Sequence, residues 1–292
     1  MNTNLSTDKK VKIKVIREKQ KMDFTTILIY IGLFLLALLC FLPFYIMMIN
    51  ATHNNASIAQ NFNLLPGGRA IANYTTMSAR VNIWTGFRNS LIVSGGGTAL
   101  LAYFGTMASY GFSKFKFPGN KALFWVVLCT MMVPPQLGII GFYNVIVKLN
   151  LMNNLLALII PMIASAQFVF FVRQYMDGTL HKSILESARI DGASELRIFN
   201  KIVLPLSLPA IATMGMFNFI FSWNQLLIPQ IVLRRTNVRT VPIIVANARG
   251  IYQTDYAPAY MAISLSVIPV MIAFVFFSKH IIGGITAGAV KG

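Results

Sequence analysis

Glu186-Ser-Ala-Arg-Ile-Asp-Gly-Ala-Ser-Glu-Leu-Arg-Ile-Phe-Asn-Lys-Ile-Val-Leu-Pro205 is a charged, helix-forming island between two long apolar runs. The wider segment from Arg173 to Leu206 carries half of the chain's 8 acidic residues: Asp177, Glu186, Asp191 and Glu195. Leu185, Ala188, Leu196, Phe199, Ile202 and Val203 recur at helical spacing, which predicts two short amphipathic helices. Gly192 falls between them, where a chain reversal needs a residue at ease with positive φ. Pro205 ends the second helix or opens the next run. Such an island belongs in water, so its flanks must lie in a different solvent.

Composition identifies that solvent. Of 292 residues, 56% are hydrophobic and 11% charged, with a mean hydropathy of +0.65. A soluble domain carries roughly a quarter charged residues. The polar surface is too small to coat a globule in water, which leaves the bilayer. Six apolar stretches are long enough to cross about 30 Å of hydrocarbon. They run from Thr25 to Ile49, Ser90 to Phe112, Leu123 to Val147, Leu155 to Val172, Leu208 to Val232 and Ala259 to Ser278. Each is nearly free of charge, and one Lys, Arg or Asp at a span centre costs about 3 kcal/mol. Helices follow, because in lipid every backbone group must be satisfied within its own segment. The expected fold class is therefore all-α, a polytopic membrane protein of six transmembrane helices.

Residues 1–24 form a basic segment with seven Lys and Arg before the first run. That run exceeds the 7–15 apolar residues of a secretory signal and no small-x-small site follows, so it reads as a retained span. With the N-terminus inside, inner segments hold 17 Lys and Arg against 8 outside. That bias places both termini in the cytoplasm. The domain organisation is then a basic segment (1–24), a permeation domain (25–282) and a cytoplasmic tail (283–292). The island occupies 176–206, and outer loops occupy 50–89 and 233–258. The net charge of +17 is spread over loops and forms no stripe, so no nucleic-acid partner is expected.

Two features interrupt the spans. Met131-Met-Val-Pro-Pro-Gln136 removes two amide donors and frees carbonyls, which a water-lined cavity tolerates and lipid does not. Phe221-Ser-Trp-Asn-Gln-Leu-Leu-Ile-Pro229 places Trp223 and Asn224 in the fifth span, with Asn218 before them. Amides beside an aromatic face suit a sugar; they equally suit hydrogen bonds between helices. Gln136, Asn218, Trp223 and Asn224 are thus candidates for a substrate path. Gly95-Gly-Gly97 lies within an apolar helix and points to close helix packing rather than nucleotide binding. Pro269 predicts a kink. Four arginines in the last outer loop, Arg234, Arg235, Arg239 and Arg249, run against the charge bias.

The chain lacks a Gly-Lys-Ser/Thr phosphate loop, and its three histidines have no ligand-spaced neighbour. Cys40 and Cys129 sit in apolar runs. No catalytic, metal or cofactor site of the chain's own is expected.

The island resembles the EAA loop of permease subunits of ATP-binding-cassette importers. Glu186-Ser187-Ala188, Asp191-Gly192-Ala193, Phe199, Leu204-Pro205 and Pro209 stand at that loop's spacing, with Ser187 where Ala is usual. The resemblance implies a type I importer permease fold. It also implies that the loop forms coupling helices docked in an ATPase cleft, with Glu186 pairing to a basic residue and Gly192 making the turn. The tail Gly284–Gly292 resembles that of the carbohydrate-uptake permeases, in particular the second subunit of the maltose-type importer. Thr286, Ala287, Gly288 and Lys291 would then reach between the two ATPase subunits. Likewise Arg249, Gly250, Tyr252 and Gln253 would enter the cleft of an extracytoplasmic sugar-binding protein. The implied partners are a second, different permease, an ATPase dimer carrying ATP and Mg, the binding protein, a carbohydrate and membrane lipid. The implied location is a bacterial or archaeal plasma membrane. The alternative, an ion-coupled secondary transporter, would need ionisable relays inside the spans, and the six stretches contain none.

Overall fold

The computed structural model describes residues 23–248 and 255–289, with side-chain surroundings as far as Val275. Among the described residues the secondary structure is helical throughout, with no strand. α1 (Phe24–Asn50) holds an internal Pro43, and Phe24, Leu28, Phe34 and Leu39 along it are exposed, as befits a helix in lipid. The stretch up to Tyr45 is one unit and the chain from Ile46 is a second.

After the last residues of α1, the second unit continues with two short helices, α2 (Asn55–Gln60) and α3 (Ala70–Arg80), and then α4 (Ile83–Lys114). α4 starts seven residues before the apolar run that predicted it. The Asn82 side chain caps it by accepting from Thr85 N at 3.1 Å, and the polar turn Thr85–Asn89 hid that start from a hydropathy window. α5 (Asn120–Thr130) and α6 (Ile139–Lys148) meet at 92° across Pro134 and Pro135, so the expected third span is two half-helices. α7 (Leu156–Ile159) leads through a 3-10 turn into α8 (Ala166–Thr179).

The island folds as α9 (Lys182–Ile190) and α10 (Glu195–Ile198), continued by a π-helical turn over Phe199–Val203 and α11 (Leu204–Leu206). α12 (Leu208–Trp223) leaves it at 76°, at Ser207 between Pro205 and Pro209. The expected fifth span breaks again after Trp223: the Asn224 amide turns back onto Ile220 O at 2.9 Å, and α13 (Leu227–Val232) follows. α14 (Val241–Ala248) and α15 (Tyr256–Ala289) complete the described chain. α15 contains Pro269, and its backbone helix continues past Ser278 through residues 283–289.

Four helical stretches, Phe24–Asn50, Ile83–Lys114, Leu156–Thr179 and Tyr256–Val275, are long and apolar enough to cross a bilayer. The two bent pairs raise the number to 6 if each makes one crossing.

α4 packs against both α8 and α12, and small residues let it. A Cβ at Gly105 would lie 2.7 Å from the Phe168 ring, and one at Gly97 would run into the Met162 sulfur. The triple glycine thus serves close packing at Gly97, whereas Gly95 faces open space. α15 packs on α3, α12 and α14. At the island end, Leu101, Phe168, Val172, Met176, Leu185 and Val203 form a buried cluster. At the opposite end Met77, Ile83, Trp223, Val241 and Ile244 form another.

Candidate coupling site and permeation path

The turn between α9 and α10 is a Schellman motif. Gly192 sits at φ +78, Ala193 N donates to Ala188 O at 3.0 Å, and Gly192 N donates to Arg189 O at 3.0 Å. Asp191 caps α9, its N–H donating to Ser187 O at 2.9 Å. Three carbonyls at the helix end are thereby satisfied, and the reversal has one well-defined geometry. Ser187 Oγ donates to Ser183 O at 2.9 Å, so the hydroxyl that stands for the usual methyl is absorbed within its own helix.

One face of this hairpin is buried and the other is open. Leu185, Ile198, Phe199 and Val203 are buried, with Ala188 and Ala193 packed partly against them. Phe199 meets the Tyr103 ring edge-on at 5.4 Å. Leu196, expected on the packed face, points outward and is 60% exposed, while Ile198 takes the inward position. The π turn explains the exchange: its wider turn shifts the phase of the helix, so Ile198, Phe199 and Val203 share a face that 3.6-residue counting misassigns.

The open face carries Glu186, Asp191 and Pro205 together with exposed Ile184, Ile190 and Leu196. Ile190 is 86% exposed at the hairpin tip. Glu186 makes no hydrogen bond or ion pair among the described residues. Glu195 does: Arg189 Nε donates to its Oε1 at 2.5 Å, and Tyr110 Oη donates to its Oε2 at 3.2 Å. The Arg189 hydrogen bond, followed by that from Tyr110, holds the Glu195 carboxyl below its ordinary range despite some desolvation.

Of the four candidate path residues, Trp223 and Asn224 meet at the wall of one cavity, and Asn218 and Gln136 stand apart from it. Asn218 donates to Thr98 Oγ1 at 3.1 Å and joins α12 to α4. Trp223 is buried, stacked on Phe219 and Phe87, with Nε1 donating to Ser266 O at 3.3 Å. Both are therefore engaged in helix packing. Asn224 and Gln136 are exposed, and Gln136 stands in the 3-10 turn of the double-proline break. Beside Trp223 and Asn224, a cavity of about 410 Å3 opens between α12, α14 and α15, walled by Val241, Val245, Ile263 and Ser266.

At the far end the loop that follows α13, expected on the outer side, is anchored by asparagines that sequence reading passed over. Asn153, at φ +58, accepts from Arg234 N at 2.7 Å and Arg235 N at 2.8 Å. Asn89 donates to Asn237 O and Arg239 O, each at 3.0 Å. Asp255 pairs with Arg80 and accepts from Asn55. Arg249, Gly250, Tyr252, Gln253 and Lys291 lie outside the described residues, as do the surroundings of Thr286, Ala287 and Gly288.

Residues 103–286, more than half of the chain, match the family described as binding-protein-dependent transport system inner membrane component. The chain belongs to that family: it is a multi-pass inner-membrane component of a transport system, not an enzyme. The arabinooligosaccharides transport system permease protein AraQ of Bacillus subtilis (strain 168) is 32% identical over 282 residues, covering 95% of this chain and 100% of the relative. The melibiose/raffinose/stachyose import permease protein MelC of Bacillus subtilis (strain 168) is 28% identical, covering 86% and 92% respectively. The lactose transport system permease protein LacG of Rhizobium radiobacter is 28% identical, covering 90% and 95%. Among solved structures, a bacterial ABC transporter involved in the import of the acidic polysaccharide alginate shares the fold. It matches with TM-score 0.74 and 22% identity over 90% of this chain and 98% of that one. An ion-coupled secondary transporter receives no support from any of these.

Proposed function

We propose that this chain is the permease subunit of an ATP-driven, binding-protein-dependent sugar importer, with an oligosaccharide as the substrate class. In this reading the chain crosses six times, each bent pair making one crossing, and the Lys and Arg bias supports cytoplasmic termini. It pairs with a second, different permease to enclose the path, and docks on an ATPase dimer that binds ATP and Mg.

The observation that carries this reading is the two-faced hairpin over 182–206. Its inner face is sealed against α4 and α8, while its outer face offers an unpaired carboxylate, Glu186, amid exposed Ile184, Ile190 and Leu196. An exposed acid on a hairpin that also exposes apolar side chains suits a cleft with a basic residue in an apolar wall. Closure of the ATPase dimer would push this hairpin and switch access to the cavity beside Asn224. Of the path residues, Asn224 and Gln136 face the sugar in this reading, while Asn218 and Trp223 hold the helices that shape the wall. The loop through Arg249, Gly250, Tyr252 and Gln253 meets the binding protein, and the tail through Thr286, Ala287, Gly288 and Lys291 reaches the ATPase.

The test is purification of the tagged chain from its native membrane in mild detergent, with mass spectrometry of its companions. An ATPase, a second permease and a binding protein are the expected companions. In reconstituted vesicles Glu186→Lys should leave the chain in the membrane yet uncouple hydrolysis from uptake. Normal uptake by that variant removes Glu186 from the docking site.

A further inference from the structure

The hairpin has a second acid whose surroundings are the opposite of Glu186's. Glu195 opens α10, and each of its two oxygens is bound to a different helix. Arg189 of α9 holds Oε1 at 2.5 Å, and Tyr110, near the end of α4, holds Oε2 at 3.2 Å. Arg189 also lies over the ring of Phe115, which follows α4, with Cζ 5.9 Å from the centroid. Tyr110 packs edge-on against Phe115 at 5.1 Å and lies 6.2 Å from Phe199 below. The Arg189 and Glu195 side chains are 39% and 45% exposed, so as an isolated ion pair they add little to stability. Their geometry matters more: a slide of α9, α10 or α4 past the others breaks at least one of the bonds.

α4 does not stop at this end. It is an unbroken helix of 32 residues, about 48 Å long. At its far end Asn89 holds the carbonyls of Asn237 and Arg239, and Ser90 Oγ accepts from Val241 N at 2.8 Å. One helix therefore grips the hairpin with one end and the loop before α14 with the other.

We propose that Glu195 is a positioning residue that locks the coupling hairpin to α4, and that α4 delivers the hairpin's displacement to the outer loop 233–241. This rests on the coupling reading given above and adds the route by which the motion crosses the membrane. The route is a contiguous chain of bonds and one helix, the form that a physical coupling path requires.

The test uses the assembled complex in nanodiscs, with Cys40→Ser and Cys129→Ser removing the native thiols. Spin labels at Lys116→Cys and Arg197→Cys read the clamp, and an impermeant maleimide reads the outer loop at Thr236→Cys. In the otherwise unsubstituted chain, trapping with ATP and vanadate should leave the label distance unchanged. The same trapping should change the Thr236→Cys labelling rate by about fivefold or more, the lower end of coupling between sites. Glu195→Gln and Tyr110→Phe should each shrink that response while the ATPase still co-purifies. A label distance that changes on trapping overturns the clamp without touching the coupling reading, as does an intact Thr236→Cys response in both variants. Should the chain capture no ATPase at all, the coupling reading falls, and this inference with it.

Discussion

Asn55 Nδ2 donates to Asp255 Oδ1 at 2.5 Å across 200 positions of sequence, and Asn55 Oδ1 accepts from Ala257 N at 2.8 Å. One amide thus secures both the acid before α15 and the first turn of that helix. Arg80 of α3 closes the cluster on Oδ2. The Asn55 hydrogen bond, then the Arg80 hydrogen bond, hold the Asp255 carboxyl below its ordinary range against a smaller desolvation effect. Because the folded value is depressed, the stabilisation is complete above the unfolded value of about 3.9 and is lost as pH falls through the folded one. Asp255→Asn should therefore lower Tm at neutral pH and have little effect in strong acid. The loss should stay near 1 kcal/mol, as for a partly exposed pair. Thermal unfolding in detergent at both pH values checks this, and an equal loss at both excludes the charge as the cause.

Gly192 should separate conformation from contact. No heavy atom stands within 4 Å of the Cβ that a substitution would add, so only φ +78 resists a side chain. Gly192→Ala should cost about 1 kcal/mol and leave coupling measurable. Gly192→Pro removes the N–H that holds Arg189 O and demands a negative φ, so it should abolish coupling while the chain still inserts. Uptake and ATP hydrolysis in vesicles distinguish the two, and equal behaviour would mean the turn geometry is immaterial.

Gly105 resists substitution for the opposite reason. An added methyl meets the Phe168 ring at 2.7 Å and the Leu101 side chain at 2.9 Å, between two helices fixed in the core. Gly105→Ala should destabilise by about 1–3 kcal/mol through overpacking. Gly95→Ala on the same helix meets nothing and should stabilise by up to about 1 kcal/mol through helix propensity. Paired melting curves test the contrast, and a neutral Gly105→Ala would show that α4 and α8 can separate freely.

Asn153→Ala should loosen the outer loop. It leaves Arg234 N and Arg235 N without their shared acceptor and puts a side chain at φ +58 that no longer gains from it. A loss of about 1–3 kcal/mol is expected, confined to the loop. Limited proteolysis from the outer side should then cut near Arg234 and Arg235 faster than in the parent chain. An unchanged cutting rate would show that Asn89 and Ser90 suffice to hold the loop.

Features set by local chemistry were legible in the sequence. Gly192 could be placed at a reversal because few other residues sit comfortably at positive φ. Pro134 and Pro135 broke the third span, and the two-sided hairpin over 182–206 followed from its apolar spacing. Leu196 failed that spacing because the π turn resets the helical phase, which no local composition announces. Trp223 and Asn218 pointed equally to a sugar and to helix packing. Their neighbours, Phe87 and Thr98, give both a contact between helices, and Trp223 lines the cavity as well. The Glu195 clamp and the Asn55–Asp255 tie were invisible, because each depends on residues brought together from 85 or more positions apart.

The right-angled break at Pro134–Pro135 bears on how the chain enters the membrane. α5 has 11 residues and α6 has 10, each about 16 Å long, which is half of what a crossing requires. Neither can be released into lipid by itself as a finished span, and their freed carbonyls need a protein or water neighbour from the outset. α5 finds that neighbour in α8, which comes later in the chain: Phe124 stacks on Phe170, and the Arg173 guanidinium lies 3.7 Å from the Phe124 ring centroid. Seating this region against hydrocarbon therefore takes α5 and α8 together, because the half-helix depends on a partner that the chain supplies about 40 residues later.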